Sequence, residues 1–136
     1  MIFSKLNGLG NDFVITDDRE NKYTENLDEM ARKLCHRRTG IGADGLVFVR
    51  KSETCDVRMQ IFNSDGSEAE MCGNGVRCFA KYVYDKGLTD KKNISIETKS
   101  GIKELELTVE DGKVSLVKVN MGAPILKAKD IPVDVD

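Results

Sequence analysis

One apolar stripe near the middle of the chain constrains its fold most. Val76, Phe79, Ala80, Val83 and Tyr84 recur at i, i+3, i+4, i+7 and i+8, the spacing of one face of an α-helix. Gly87 supplies a stop for it. A second helix is predicted over residues 24–38, where Leu27, Met30, Ala31, Leu34 and Cys35 keep the same period and Asn26 with Glu29 reads as a capping box.

Nearly everything else reads as strand. Ile2, Ser4 and Leu6 alternate around Phe3 and Lys5, and Gly8-Leu9-Gly10-Asn11-Asp12 makes a tight loop before a strand over 13–16 that Asp17-Asp18 turns. Residues 46–50 form a strand, and Val57, Met59 and Ile61 alternate with Arg58, Gln60 and Phe62 in another. Asn63-Ser64-Asp65-Gly66-Ser67 is a turn rich in side-chain acceptors. Strands over 94–98, 102–109 and 114–119 are separated by Lys-Ser-Gly and Glu-Asp-Gly turns, a meander of hairpins. About seven strands with two helices predict an α+β domain with mostly antiparallel pairing.

Composition narrows the function classes. A chain of 136 residues holds one domain with a real core and too few residues for two full ones. It is 40% hydrophobic and 32% charged, as ordinary globular proteins are. A net charge of −2, without a basic patch or basic-aromatic run, argues against a nucleic-acid partner. No stretch reaches the length of a membrane span, and the N-terminus lacks the basic-then-apolar build of a signal peptide, so the expectation is no membrane and a cytosolic setting. Cys35, Cys55, Cys72 and Cys78 are spaced by 20, 17 and 6 residues, with no C-x-x-C pair, and the only histidine, His36, adjoins Cys35 on a helix where neighbours diverge. No metal site is expected, and at most one functional thiol.

Two glycine-rich segments need separate readings. Gly40-Ile41-Gly42-Ala43-Asp44-Gly45 matches G-x-G-x-x-G, but a dinucleotide fingerprint follows a strand and opens a helix. Here a helix precedes it and a strand follows, so the glycines end one helix and shape a loop. Glu70-Met71-Cys72-Gly73-Asn74-Gly75-Val76 is different, because it puts a cysteine directly before the amphipathic helix. Unpaired N–H groups and the positive end of the peptide dipoles favour thiolate there, and the same N–H groups can hold a carboxylate. Gly-Asn-Gly is a poor helix start on propensity alone and suits a backbone that a ligand approaches closely. Cys78, one and two-thirds turns further on, and Cys35, on the earlier apolar stripe, read as buried packing residues, and Cys55 falls just before a strand.

Taken in order, Lys5 to Phe13, Gly40-Ile41-Gly42-Ala43-Asp44, Phe62-Asn63-Ser64-Asp65-Gly66 and Met71-Cys72-Gly73-Asn74-Gly75-Val76-Arg77-Cys78 closely resemble the diaminopimelate epimerase family, over essentially the whole chain. The resemblance implies an isomerase that interconverts LL- and meso-diaminopimelate, a lysine and peptidoglycan precursor, with neither pyridoxal phosphate nor metal. It implies two similar halves, each a curled, mostly antiparallel sheet around a central helix. The substrate lies in the cleft between them and each half supplies one cysteine. By the same likeness Cys72 is the catalytic cysteine of this half, and Asn11, Asn63, Gly73 and Asn74 bind substrate. Asparagine suits that task because it donates and accepts without adding charge beside a zwitterion. Gly45 stands where some members carry a substrate-contacting glutamine, a side chain that glycine cannot supply.

The family's chains are roughly twice as long as this one. The resemblance therefore implies residues 1–119 as an N-terminal epimerase domain and residues 120–136 as the beginning of an incomplete second one, with Val117 to Pro124 similar to that half's first strand. The partner cysteine belongs to the absent half, so this chain is expected to be inactive alone. Related amino-acid racemases with other substrates, and a non-catalytic domain binding a small anion or a partner chain, are the alternatives. A half on its own exposes its cleft face, an invitation to pair with a second copy.

Overall fold

The computed structural model describes residues 2–8, 10–70 and 73–120. In chain order they form β1 (Ser4–Gly8), β2 (Asn11–Asp17), α1 (Leu27–Cys35), β3 (Gly45–Arg50), β4 (Val57–Asn63), β5 (Glu68–Ala69), α2 (Gly73–Asp85), β6 (Asn93–Thr98), β7 (Gly101–Glu110) and β8 (Lys113–Asn120). One sheet contains every strand, in the order β1-β2-β3-β4-β6-β7-β8, with β5 pairing β4 off that path. Pairing is antiparallel except at β2–β3 and β4–β6. Parallel neighbours need a crossover rather than a hairpin; α1 serves the first parallel pair and α2 the second.

The apolar stripe of α2 explains the curl. Val76, Phe79, Ala80 and Val83 are wholly buried, and they pack on Phe13, Ile15, Val47, Met59, Ile61, Ile96 and Leu105 from one face of the sheet. Burying a side chain such as Phe79 stabilises by about 1.5–3 kcal/mol. The helix reaches both edge strands, β1 and β8, so the sheet bends around it as a half-barrel. Polar residues on the neighbouring helix face hold the β8 edge: Arg77 donates to the Val117 carbonyl at 2.7 Å and Lys81 to that of Val114 at 2.9 Å, while Asp85 accepts the Val114 N–H at 3.0 Å. Those bonds satisfy backbone groups that an open edge would offer to another chain. On the convex side, Ala31 and Cys35 of α1 cover Val14, Leu46, Phe48 and Phe62. With both faces covered, β3 is buried at all six positions.

Local chemistry sets the boundaries. Gly87, at φ 77°, ends α2 in a Schellman arrangement, in which the Leu88 N–H reaches the Val83 carbonyl at 2.9 Å and the Gly87 N–H that of Tyr84 at 3.0 Å. Asp111 and Gly112 both have positive φ, as a two-residue turn of the I′ kind between β7 and β8 requires. A buried ion pair pins the convex side. Arg50 meets the Asp18 carboxylate, donates to the Tyr23 carbonyl at 2.6 Å and to Gln60 Oε1 at 3.0 Å, and lies 4.5 Å from the centre of the Phe48 ring. Asp18 also accepts the Lys22 and Tyr23 N–H groups at 2.8 and 3.0 Å.

The α+β class and the curled sheet around a central helix hold. Each predicted strand is present; the first lies two residues later than its alternation showed, at Ser4–Gly8 rather than 2–6, and most of the others run a residue or two further. Three details differ. The first helix is shorter than 24–38, because the chain enters it through Asn26 in a left-handed conformation, φ 56°, with no side-chain capping bond; the Asn26–Glu29 capping box does not form. β5 was not anticipated, since two residues carry no period. The two parallel pairings also left no mark in the local pattern. Among the described residues no helix is long and apolar enough to cross a membrane, and no group of three His, Cys, Asp or Glu side chains could hold a metal ion. Apart from the backbone of Asn120, which closes β8 opposite Glu104, the segment 120–136 lies outside the described residues.

Candidate active site

Three strand ends and one helix start meet at the same end of the sheet. β2 begins at Asn11, β3 begins at Gly45 and β4 ends at Asn63. Register places Phe13 beside Gly45 and Gly45 beside Asn63, which aligns those ends. β5 then turns the chain back along β4, pairing Ala69 with Ile61. After it comes the helix whose first residues are Gly73 and Asn74. Across the neighbouring edge, β1 ends at Gly8, where an added Cβ would stand 2.9 Å from Cys78 Sγ and 3.5 Å from the Asn74 carbonyl oxygen. The rim of β1 is thus packed directly on the first turns of α2.

Asn11 and Asn74, separated by 63 positions in sequence, share a hydrogen bond in which Asn74 Nδ2 donates to Asn11 Oδ1 at 2.8 Å. Asn63 lies on the exposed end of β4, donating through Nδ2 to Ser67 Oγ at 3.0 Å, while its backbone N–H is held by the Ser67 carbonyl at 2.8 Å. The turn that Asn63 starts is therefore closed on itself. Within it the Ser64 N–H donates to the Asp44 carbonyl at 3.1 Å, which ties the turn to the foot of β3.

Gly73 is exposed, and beyond its chain neighbours and its own helix backbone no described atom lies within 4 Å of where its Cβ would be. Gly45 is the opposite case. A Cβ there would meet the Phe62 carbonyl oxygen at 3.0 Å and the Phe13 ring at 3.1 Å, so a larger residue needs those neighbours to give by a few tenths of an ångström. The first turn of α2 carries no acidic side chain, whereas that of α1 has Asp28 and Glu29. Within the helix, then, nothing neutralises the positive end of α2. Cys72, directly before Gly73 in sequence, lies outside the described residues.

An ionic network that leaves no mark in the sequence pattern stands behind these asparagines. Arg37, in the loop after α1, grips Asp12 with two bonds, NH1 to Oδ2 at 3.0 Å and NH2 to Oδ1 at 2.9 Å, and reaches Asp44 Oδ1 at 3.2 Å. Lys5 Nζ lies 3.4 Å from Asp12 Oδ2. The Arg37 guanidinium, acting against partial burial and helped by Asp44 and Lys5, holds the Asp12 carboxyl well below the usual carboxylate range. Asp12 in turn pushes Arg37 upward. Asp44 Oδ2 accepts both the Asp12 N–H at 2.9 Å and Asn11 Nδ2 at 3.3 Å. No local signal links residues 12, 37 and 44, because the parallel crossover through α1 brings them together.

The remaining cysteines fall where packing put them. Burial, and then the negative charge of Asp12, pushes the Cys35 thiol up to about 11, so it stays protonated at neutral pH. Cys78 is buried on α2, and Cys55 is half-buried two residues before β4.

The chain is similar to known proteins over nearly its whole length. The family model for diaminopimelate epimerase matches residues 3–127. A diaminopimelate epimerase of Acetivibrio thermocellus is 56% identical over 136 residues, covering all of this chain and 48% of the relative. One from Methanococcus maripaludis is 58% identical over 133 residues, 98% of this chain and 48% of the relative. The chain thus spans about half the length of the curated relatives it matches. Among solved structures, a probable proline racemase from Agrobacterium radiobacter superposes with a TM-score of 0.72 over 86% of this chain and 40% of its own, at 15% identity, which speaks for the fold alone.

Proposed function

The chain belongs to the diaminopimelate epimerase family, and we propose that it forms the N-terminal half of an enzyme that interconverts LL- and meso-diaminopimelate at one α-carbon. Cys72 is the acid/base group of this half. The backbone at Gly73 and Asn74 seats the α-carboxylate, and Asn11, Asn63 and the Asn74 side chain bind the rest of the polar substrate. The observation that carries this reading is the junction of the Asn11–Asn74 pair with a helix start whose first turn carries no acidic side chain and where no other described element packs on Gly73.

The chemistry follows from that junction. An amino-acid α-proton is a very weak acid, and its loss spreads charge onto the carboxylate. Backbone N–H groups aimed at that carboxylate stabilise the developing charge, more strongly once a closing cleft expels water. A thiolate on one face removes the proton while a thiol on the opposite face returns one. The second thiol comes from the C-terminal half, the partner this chain needs. A cytosolic, reducing setting keeps both sulfurs usable. Until that half is present, the exposed cleft face can pair two copies of this chain.

The test is α-proton exchange of diaminopimelate in heavy water, by the chain alone and by the chain supplied with a family C-terminal half. We expect negligible exchange alone and exchange on complementation. Cys72→Ala removes it by a factor of about 10² or more, as loss of a general base does, whereas Cys78→Ala lowers stability with exchange retained. Substantial exchange by the chain alone would overturn the two-thiol mechanism.

A further inference from the structure

Asn11 is the middle member of a three-residue relay whose polarity is fixed at one end. Asp44 Oδ2 accepts from Asn11 Nδ2 at 3.3 Å, and Asn11 Oδ1 accepts from Asn74 Nδ2 at 2.8 Å. An ionised carboxylate only accepts, so Asn11 must turn its NH2 group towards it. The reversed amide would set carbonyl oxygen against carboxylate at one end and two NH2 groups against each other at the other. One carboxylate therefore dictates the orientation of two amides, the second of them on the first turn of α2. Asp44 is itself held firmly: its N–H donates to the Asp12 carbonyl at 2.8 Å, its Oδ2 takes the Asp12 N–H at 2.9 Å, and its Oδ1 takes Arg37 at 3.2 Å.

Asn74 Nδ2 is thus committed to Asn11, and no described group donates to Asn74 Oδ1. That leaves an acceptor oxygen on the same helix turn as the backbone N–H donors, the pairing that a zwitterionic amino acid presents in reverse as ammonium beside carboxylate. Resting on the substrate reading above, we propose that Asp44 is a positioning residue: through Asn11 it orients the Asn74 amide so that the amide oxygen faces the substrate. Arg37 and Asp12 hold Asp44 in place and need not touch substrate.

Two substitutions separate this role from a simple charge partnership with Arg37. Asp44→Asn keeps an acceptor oxygen that can face Asn11 but removes the charge facing Arg37. Asp44→Ala removes both. In the complemented protein, Asp44→Ala should raise KM for diaminopimelate about tenfold with kcat within about threefold, the loss expected for one bond between substrate and a fixed acceptor. Asp44→Asn should stay within about threefold of wild type, since a neutral acceptor is roughly half as strong as a charged one. A second readout needs no substrate. Exchange of the Asn74 side-chain amide protons, followed by nitrogen-15 NMR in the same protein, should quicken about five- to tenfold in Asp44→Ala and stay near wild type in Asp44→Asn. Equal damage from both substitutions, or an unchanged Asn74 amide in Asp44→Ala, would overturn the relay. Should wild type fail to turn over diaminopimelate, the substrate reading falls, and the amide exchange still decides whether Asp44 orients Asn74. Because Asp44→Asn is isosteric, a misfolded Asp44→Ala would leave its amide spectrum as the deciding measurement, with a free Asn74 amide in that variant counting against the relay.

Discussion

Gly73→Ala should move stability and function in opposite directions. Gly73 is the first residue of α2, it is exposed, and beyond its chain neighbours and its own helix backbone no described atom lies within 4 Å of where its Cβ would stand. Adding a methyl group there meets no steric penalty from the described fold. Alanine restricts the unfolded chain and favours the helix, worth about 0.4–1 kcal/mol where the conformation suits it. At a helix end the lower half of that range applies, roughly 0.5 kcal/mol. With a urea slope of about 1.5 kcal/mol per molar, the unfolding midpoint should rise by about 0.3 M. Substrate binding meets the opposite effect. A carboxylate held by backbone N–H groups approaches to about 3 Å, whereas a methyl carbon keeps its neighbours at about 3.5–4.0 Å. The carboxylate is pushed back by up to about 1 Å, a displacement that can cost about 10²-fold in rate. Urea unfolding followed by circular dichroism, and deuterium exchange into diaminopimelate by the complemented protein, measure the two halves. A stabilised variant with wild-type exchange would refute close approach of substrate to Gly73. A destabilised one would show that the space in front of the helix is filled.

Two further perturbations test the framework. Arg50→Met leaves the buried Asp18 carboxylate without its ionic partner and should cost about 3–5 kcal/mol in urea unfolding, with part recovered by adding Asp18→Asn; a loss under about 1 kcal/mol would mean the pair is not truly desolvated. Acid should also weaken the fold, because Asp12, Asp56 and Asp85 all have lowered values in the folded state. For Asp12 the Arg37 bonds dominate; for Asp56 and Asp85 burial opposes the shift and is outweighed by Lys91 with Ser95 and by Lys81 with the Val114 N–H. Folded values below the unfolded ones, near 3.9 for Asp, give stability that is complete above about pH 5 and lost as pH falls through the folded values. The urea midpoint should therefore drop steadily from pH 5 to pH 3, and a flat midpoint over that span would contradict it.

Much of this fold is legible locally. The stripe from Val76 to Tyr84, the stop at Gly87 and the alternation of Val57, Met59 and Ile61 report which side chains face the core, and burial has a period that a sequence displays. The Asn26–Glu29 motif misled for a related reason: the pattern satisfies a capping box, but the chain arrives through a left-handed Asn26 whose side chain makes no capping bond. Gly45 illustrates another limit. Its likeness to a glutamine position described what is missing, and only the fold shows that the Phe62 carbonyl and the Phe13 ring crowd the place where a side chain would begin.

The family, the helix that opens with Gly-Asn-Gly and the strand content are legible in the order of residues, because each depends on residues close together along the chain. That Asn11 meets Asn74, with Asp12, Arg37 and Asp44 behind them, is visible only once the chain is folded. Those contacts depend on two parallel crossovers bringing distant segments to one sheet end. A hydrogen bond needs two groups within about 3 Å, and no periodicity in a linear chain records which far partner the folding of a sheet will deliver.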